Sequence, residues 1–402
     1  MSTAVRIVVD FRSALRARTG VGQTVFHVVR ALAEREALSR RTGGAHSVAA
    51  TCPSGACEST QQTLDITLFS SSWKDRPAAE DLAQLPGMRM VDWRVPVRAL
   101  NFLWHRLEWP PVELLAGRGF DIAYSPHPLL MPARRAAQVV TIHDLDFLAH
   151  PERTAAEIRR DYPALVREHA HRAAHVIVSS HYTARQVQSE LGLPADRMSV
   201  CHLGAPDWSP PPGRQANRSA RHVLFMGMLE ERKNVGTLLA AYADLIGRRP
   251  GVPPLVLAGP ARAEAAPWLE SITRPPLADH VRYLGYVSDE QKRALFESAA
   301  LFVFPSLHEG FGMPVVEAMS AGVPVVVSNR GALPEIVQDA GVVVEPDDAE
   351  ALAGAMERLL SDEAFAAASA AKVIQRARHF RWANTASCVV QAFERALENR
   401  GW

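Results

Sequence analysis

Two carboxylates, Glu309 and Glu317, stand in the otherwise apolar run HEGFGMPVVEAMSAGVPVV, with seven residues between them. Gly310, Phe311, Gly312, Met313 and Pro314 lie in that gap. A carboxylate is a poor phosphate ligand but a good acceptor for the vicinal hydroxyls of a sugar. Gly310 and Gly312 remove side chains where backbone N–H groups could approach a ligand. Pro314 suits the first position of a helix, and a helix N-terminus favours a phosphate. The spacing therefore predicts Glu309 in a loop and Glu317 in the first helical turn, with a phosphate-facing turn between them. A nucleotide-sugar has that layout, with a sugar on each side of a phosphate group. The alternative leaves Glu309 solvated and makes Glu317 a complement to the helix dipole.

A second cluster lies in VLFMGMLEERKNVGTLL. A strand is expected to end at Gly227 and a helix to begin near Asn234, with Arg232 and Lys233 just before it. A planar guanidinium fork beside a point-charge ammonium makes an anion clamp. The alternative is a solvated basic pair, with Asn234 as a plain N-cap. His143, followed by Asp144, ends a strand in VVTIHDLDF. A histidine there is a catalytic candidate by position, although single histidines also serve structure. Gly20 and Gly22 open a helix after the first strand, but Val25 stands where GxGxxG needs its third glycine. A nicotinamide dehydrogenase is thus disfavoured, while Gly22 remains a point where a substrate could approach the backbone. In VDWRVPVRALNFLWHRLEWPP, the residues Trp93, Arg94, Arg98, Phe102, Trp104, Arg106 and Trp109 interleave cations with rings. That mix suits an anionic membrane interface. It also suits an amphipathic helix packed on its own domain; single-stranded RNA has less support, since no RNA-binding signature accompanies it.

These groups need a scaffold that delivers them to one place. Short β-branched runs (RIVVDF, DIAYSP, AQVVTIHDL, AHVIVSS) alternate with helical patterns, which argues for parallel strands covered by helices. A Pro-rich polar stretch at 205–221 reads as a linker, and the alternation then restarts with HVLFMG, PLVLAG, VRYLGYV, ALFVFPS, VPVVVSN and AGVVVEP. The expected organisation is an α/β domain at 1–205, a linker at 206–220, a second α/β domain at 221–380 and a terminal helix at 381–402. Ligands of open parallel sheets bind at the carboxyl ends of strands, where each candidate residue above is placed.

Bulk properties agree with that plan. A chain of 402 residues exceeds one ordinary core. With 44 basic against 43 acidic residues there is no global pull toward nucleic acid, so an anion site must be local. Cys52, Cys57, Cys201 and Cys388 form no CxxC pair, and reduced thiols in a cytoplasmic protein fit best. The N-terminal apolar run is too short for a signal peptide, and no stretch approaches the roughly 20 apolar residues that cross a bilayer.

HEGFGMPVVEAMSAGVPVVVSNRGALPEI closely resembles the glutamate-pair motif of the retaining family-four glycosyltransferases, and FMGMLEERKN, LGYVSDEQKRALFESAALFVFPS, TIHDLDFL and VIVSSHYTARQV are similar to other blocks of that family. The resemblance covers most of the C-terminal half and islands of the N-terminal half. It implies the GT-B fold: two Rossmann-like domains facing across a cleft, an acceptor-binding one at 1–205 and a nucleotide-sugar-binding one at 221–380, with the last helix returning to the first domain. It implies that Glu317 holds the ribose, Glu309 contacts the donor sugar, and the backbone from Phe311 to Pro314 faces the diphosphate. Arg232 and Lys233 would neutralise the leaving group, Gly22 would line the cleft, Gly227 would border the donor, and His143 would lie near the transferred sugar. Many members carry arginine after the strand glycine; Met228 stands there instead. No DxD motif is placed to bind a metal, so the resemblance implies a metal-independent reaction without a cofactor, with retention of configuration by front-face attack. The HDL style is similar to bacterial mannosyl- and rhamnosyltransferases of surface polysaccharide synthesis. The expected donors are GDP-mannose, UDP-glucose or dTDP-rhamnose, and the expected acceptor is a saccharide, free or lipid-linked, at the inner membrane face. A nucleotide-sugar epimerase, a glycan phosphorylase and a non-catalytic nucleotide-sugar binding module remain the alternatives.

Overall fold

Strand-forming runs of Val, Ile, Leu and Phe build two separate parallel sheets in the computed structural model. It describes residues 4–15, 20–41, 51–52, 55–56, 62–150, 156–208 and 222–399. Cys57, the linker stretch 209–221 and the last residues 400–402 lie outside the described residues. The chain divides into two units, Met1–Gly204 with Trp382–Trp402, and Ala205–Arg381.

The first unit holds β1 (Val5–Asp10), a short antiparallel pair of β2 (Thr51–Cys52) and β3 (Gly55–Ala56), β4 (Leu64–Ser71), β5 (Arg89–Trp93), β6 (Ile122–Ser125), β7 (Ala137–Ile142), β8 (His175–Val178) and β9 (Met198–Val200). Its main sheet has the order β5-β4-β1-β6-β7-β8-β9, and each pairing is parallel. β6 and β8 are buried along their whole length, as expected for a parallel sheet covered on both faces. The helix Val21–Arg41 and the helix Trp382–Glu398 pack together within this unit. Phe393 meets Tyr124 of β6 edge-on, with centroids 5.2 Å apart, and Trp382 stacks on His27 at 5.0 Å.

The second unit holds β10 (His222–Met226), β11 (Leu255–Ala258), β12 (Val281–Tyr283), β13 (Ala299–Phe304), β14 (Val325–Ser328) and β15 (Val342–Val344). The order is β12-β11-β10-β13-β14-β15, again with parallel pairings. The chain runs outward from β10 in one direction and from β13 in the other. The two central strands therefore flank a topological switch point, where helices diverge and leave a crevice beyond the strand ends. Residues after β10 and after β13 are brought together there.

The segment 91–111 differs from a single amphipathic helix. Val91–Trp93 completes β5, Val97–Phe102 is α-helical, and Leu103–Leu107 widens into a π-type turn. Trp104 belongs to the core, not to an exposed ring set: it is 1% exposed, its indole N–H donates to the Pro110 carbonyl at 3.0 Å, and the Arg12 guanidinium lies 4.5 Å from its ring centroid. Phe102, Leu107 and Trp109 are exposed.

Candidate active site

The turn after β10 and the loop after β13 meet through an ion pair. Lys233, on the 3-10 turn Glu231–Lys233, pairs its ammonium with Glu309 Oε1. Both are buried, so neither is the solvated charge of the alternative reading. Arg232 Nη1 lies 3.4 Å from the same oxygen and donates to the His308 carbonyl at 2.9 Å. The Ser306 hydroxyl adds a hydrogen bond to Glu309 Oε1 at 2.7 Å. Burial alone would raise the Glu309 carboxyl; the Lys233 and Arg232 charges outweigh it and hold the group below its ordinary value. Burial also draws Lys233 below its ordinary value, against the pull of Glu309. The Lys233 ammonium stands 4.8 Å from the Phe304 ring centroid, which closes its apolar side.

Glycines shape the backbone around this pair. Gly312 is the N-cap of the helix Met313–Ser320 at φ +94°, and a side chain there would come 2.7 Å from Leu333 Cδ2. Gly331, at φ +64°, passes so close to Glu309 that a Cβ would sit 2.5 Å from its carbonyl oxygen and 2.6 Å from its nitrogen. The side chain of Phe311 turns inward against Phe380, with centroids 5.9 Å apart. Gly310 is buried, and Met313 and Pro314 are half-buried.

The helix begins one residue earlier than the Pro314 position predicts, so Pro314 is its second residue and Glu317 its fifth. Glu317 therefore sits in the second turn, beyond reach of the helix's unpaired N–H groups, and its partner is a cation. Lys292, on the helix Asp289–Ser298, places Nζ 2.8 Å from Glu317 Oε1. Burial, the largest effect on Glu317, raises its carboxyl above the ordinary value, with Lys292 opposing. Lys292 Nζ also stands 6.0 Å from the Trp208 ring centroid. Lys292 was not marked in the sequence, because no spacing links it to Glu317; only folding joins the two helices. Its one local signal is the capping box of Ser288 and Gln291, which fixes the start of its helix.

Asn234 departs from a plain N-cap. It adopts φ +56° and makes no side-chain cap; its amide instead donates to the Pro346 carbonyl at 2.8 Å and the Pro305 carbonyl at 3.2 Å. It thus ties the β10 turn to the loop after β13. Gly227 follows β10 directly, and Gly259 follows β11; a Cβ on Gly259 would lie 2.0 Å from the Gly227 carbonyl oxygen. Beside them Glu230 accepts from Arg232 and pairs with Arg262, neither Glu230 nor Arg262 having been marked in the sequence.

The remaining candidates lie in the first unit. His143 follows β7, and its carbonyl accepts from the Ser179 hydroxyl at 3.0 Å. Its Nε2 is buried without a hydrogen-bond partner, and burial lowers its pKa. Gly22 lies in the first turn of the helix Val21–Arg41, where a Cβ would come 2.5 Å from the Ser13 carbonyl oxygen. Its missing side chain makes room for the preceding turn.

The chain has recognisable relatives. The profile described as "Glycosyl transferases group 1" matches residues 212–380, and that of "Glycosyltransferase Family 4" matches residues 56–207. The O-antigen chain mannosyltransferase B of Escherichia coli is 32% identical over 300 residues, covering 72% of this chain and 79% of that protein. The serotype-specific mannosyltransferase WbdA of Escherichia coli is 36% identical over 184 residues, 44% of this chain but only 22% of that protein. Among solved structures, Anabaena HepE in complex with UDP-glucose superposes with a TM-score of 0.68 at 17% identity, covering 97% of this chain and 99% of that one. Together with the two parallel sheets, that likeness shows the two-domain GT-B fold.

Proposed function

Because the chain belongs to the group 1 glycosyl transferases of family 4, we propose that it moves mannose from GDP-mannose to a saccharide acceptor, with retention of configuration, in bacterial surface polysaccharide synthesis. The observation that carries this reading is the buried Lys233–Glu309 pair at the switch point of the second sheet, set beside a glycine-rich turn that opens a helix. Arg232 and Lys233 supply positive charge for a leaving diphosphate, which is stabilisation in a water-poor place where it is worth most. Glu309, kept ionised by those cations, accepts from hydroxyls of the donor sugar. Glu317 accepts from the ribose, and the Phe311–Pro314 backbone faces the phosphates. His143 and Gly22 keep the roles the resemblance implies. No metal or cofactor enters the mechanism as proposed.

Mannose is preferred over glucose and rhamnose because the relative aligned over 72% of this chain is a mannosyltransferase. A nucleotide-sugar donor also has support from the UDP-glucose held by HepE. The acceptor is proposed to be lipid-linked, met at the cytoplasmic membrane face through Arg94, Arg98, Phe102, Arg106 and Trp109. No helix of the described residues is long and apolar enough to cross a membrane. The test is incubation with GDP-mannose, UDP-glucose and dTDP-rhamnose, following nucleotide release and characterising the sugar product. Release with GDP-mannose above the other two is expected. Folded protein that turns over none of them counts against the reading.

A further inference from the structure

We propose that Arg262 is a third cation of the donor-diphosphate site, an assignment that rests on the nucleotide-sugar reading above. Arg262 lies beyond β11, the neighbour of β10. Backbone contacts bring the two strand ends together: Leu229 N–H donates to the Pro260 carbonyl at 2.8 Å, and Arg262 N–H donates to the Leu229 carbonyl at 3.1 Å. The close pass of Gly259 over the Gly227 carbonyl leaves no space for a side chain between them. The Arg262 head is thereby delivered beside the residues that follow β10, with Nε 3.1 Å from Met228 Sδ and 3.2 Å from Glu230 Oε2.

Glu230 holds two guanidiniums on its two oxygens. Oε1 accepts from Arg232 Nη2 at 2.9 Å and Nε at 3.2 Å, while Oε2 faces Arg262. Arg232 continues to Glu309, and Glu309 to Lys233. Three cations and two carboxylates thus meet in one array at the strand ends. The two inner cations are largely enclosed, with 9% of the Lys233 side chain and 19% of that of Arg232 exposed, against 45% for Arg262. Arg262 is therefore the member whose head can meet an incoming anion. Paired guanidiniums present several N–H donors in fixed planes, which matches the adjacent oxygens of a diphosphate. The position directly after Gly227 carries the uncharged Met228, and the neighbouring strand supplies the charge instead.

The test is titration of GDP, UDP and dTDP into the native protein, Arg262→Ala, Arg262→Ala/Met228→Arg and Arg274→Ala. Arg274 pairs on the surface with Glu270 of the same unit and serves as the control. The preferred diphosphate should bind Arg262→Ala at least about tenfold more weakly, the loss of one charge-assisted contact. Arg274→Ala should match the native protein, and the double variant should recover affinity by returning a guanidinium from the adjacent position. Arg262→Ala binding within about twofold of native overturns the assignment while leaving the donor reading intact. A native protein that binds none of the three overturns that reading, and this inference with it.

Discussion

The Lys292 ammonium lies 2.8 Å from Glu317 Oε1, joining two helices that follow different strands. Burial raises the Glu317 carboxyl, and Lys292 is the largest opposing effect, favouring the ionised form. Lys292 is in turn held above its ordinary value, because Glu317 and Asp289 outweigh its burial. Lys292→Met removes the cation and raises Glu317 further. At a given pH fewer carboxylates are then ionised, and donor binding that needs the ionised form weakens. Donor affinity of Lys292→Met should therefore climb with pH over a higher range than that of the native protein. Coincident profiles for the two proteins contradict this.

Gly331 tests how tightly the loop after β14 seats Glu309. Alanine there takes the strain of φ +64° and a Cβ 2.5 Å from the Glu309 carbonyl oxygen. Gly331→Ala should cost about 2 kcal/mol or more. Gly251→Ala, at φ +73° with nothing within 4 Å, should cost about 1 kcal/mol from backbone strain alone. Equal losses in denaturant titration remove the contact argument.

His105 makes the first unit acid-sensitive. Burial above all, then the nearby charges of Arg12, His127 and His169, pushes its pKa from 6.5 down to about 4, with Asp10 opposing. A lowered folded-state pKa favours the neutral ring. The stability it gives is present above the unfolded value of 6.5 and is lost as pH falls toward 4. His105→Leu should lose less in melting temperature than the native protein over that window. An equally steep decline assigns the sensitivity elsewhere, with His175, also drawn down to about 4, as the next residue to substitute.

The exposed rim of 91–111 gives a membrane prediction. Phe102 and Leu107 are each 60% exposed and Trp109 57%. Replacing Arg94, Arg98 and Arg106 together by Gln should remove about 1 kcal/mol per charge of attraction to anionic lipid, roughly 100-fold in all. Co-sedimentation with phosphatidylserine vesicles measures it; binding equal to native rejects the surface.

Much of this was legible in the residues. The strands around Gly227, Phe304 and Ser328 are written in unbroken apolar runs, because both faces of a parallel sheet are covered. Arg232, Lys233 and Glu309 stood out as charges at the ends of such runs. What the sequence did not disclose was pairing between distant segments. Lys292 meets Glu317 and Arg262 meets Glu230 only because strand order brings their loops side by side. Gly331 was equally unmarked, since its close pass over Glu309 depends on the path of another loop. Glu317 fell in the second turn because helix starts are set by backbone conformation, here the left-handed Gly312, which composition does not specify. Trp104 was misplaced on the surface for a related reason: Arg12, far earlier in the chain, covers its face.

The central claim is that the Lys233–Glu309 array and Glu317 hold a nucleotide-sugar for transfer. Its most direct test is the rate of GDP release from GDP-mannose, with a saccharide acceptor, by the native protein, Lys233→Ala and Glu317→Ala, each checked for a native-like melting transition. The account predicts turnover by the native protein, with the anomeric configuration of mannose kept in the product, and rates lower by about 100-fold or more in both variants. Near-native turnover in either folded variant, or no release by the native protein, would contradict it.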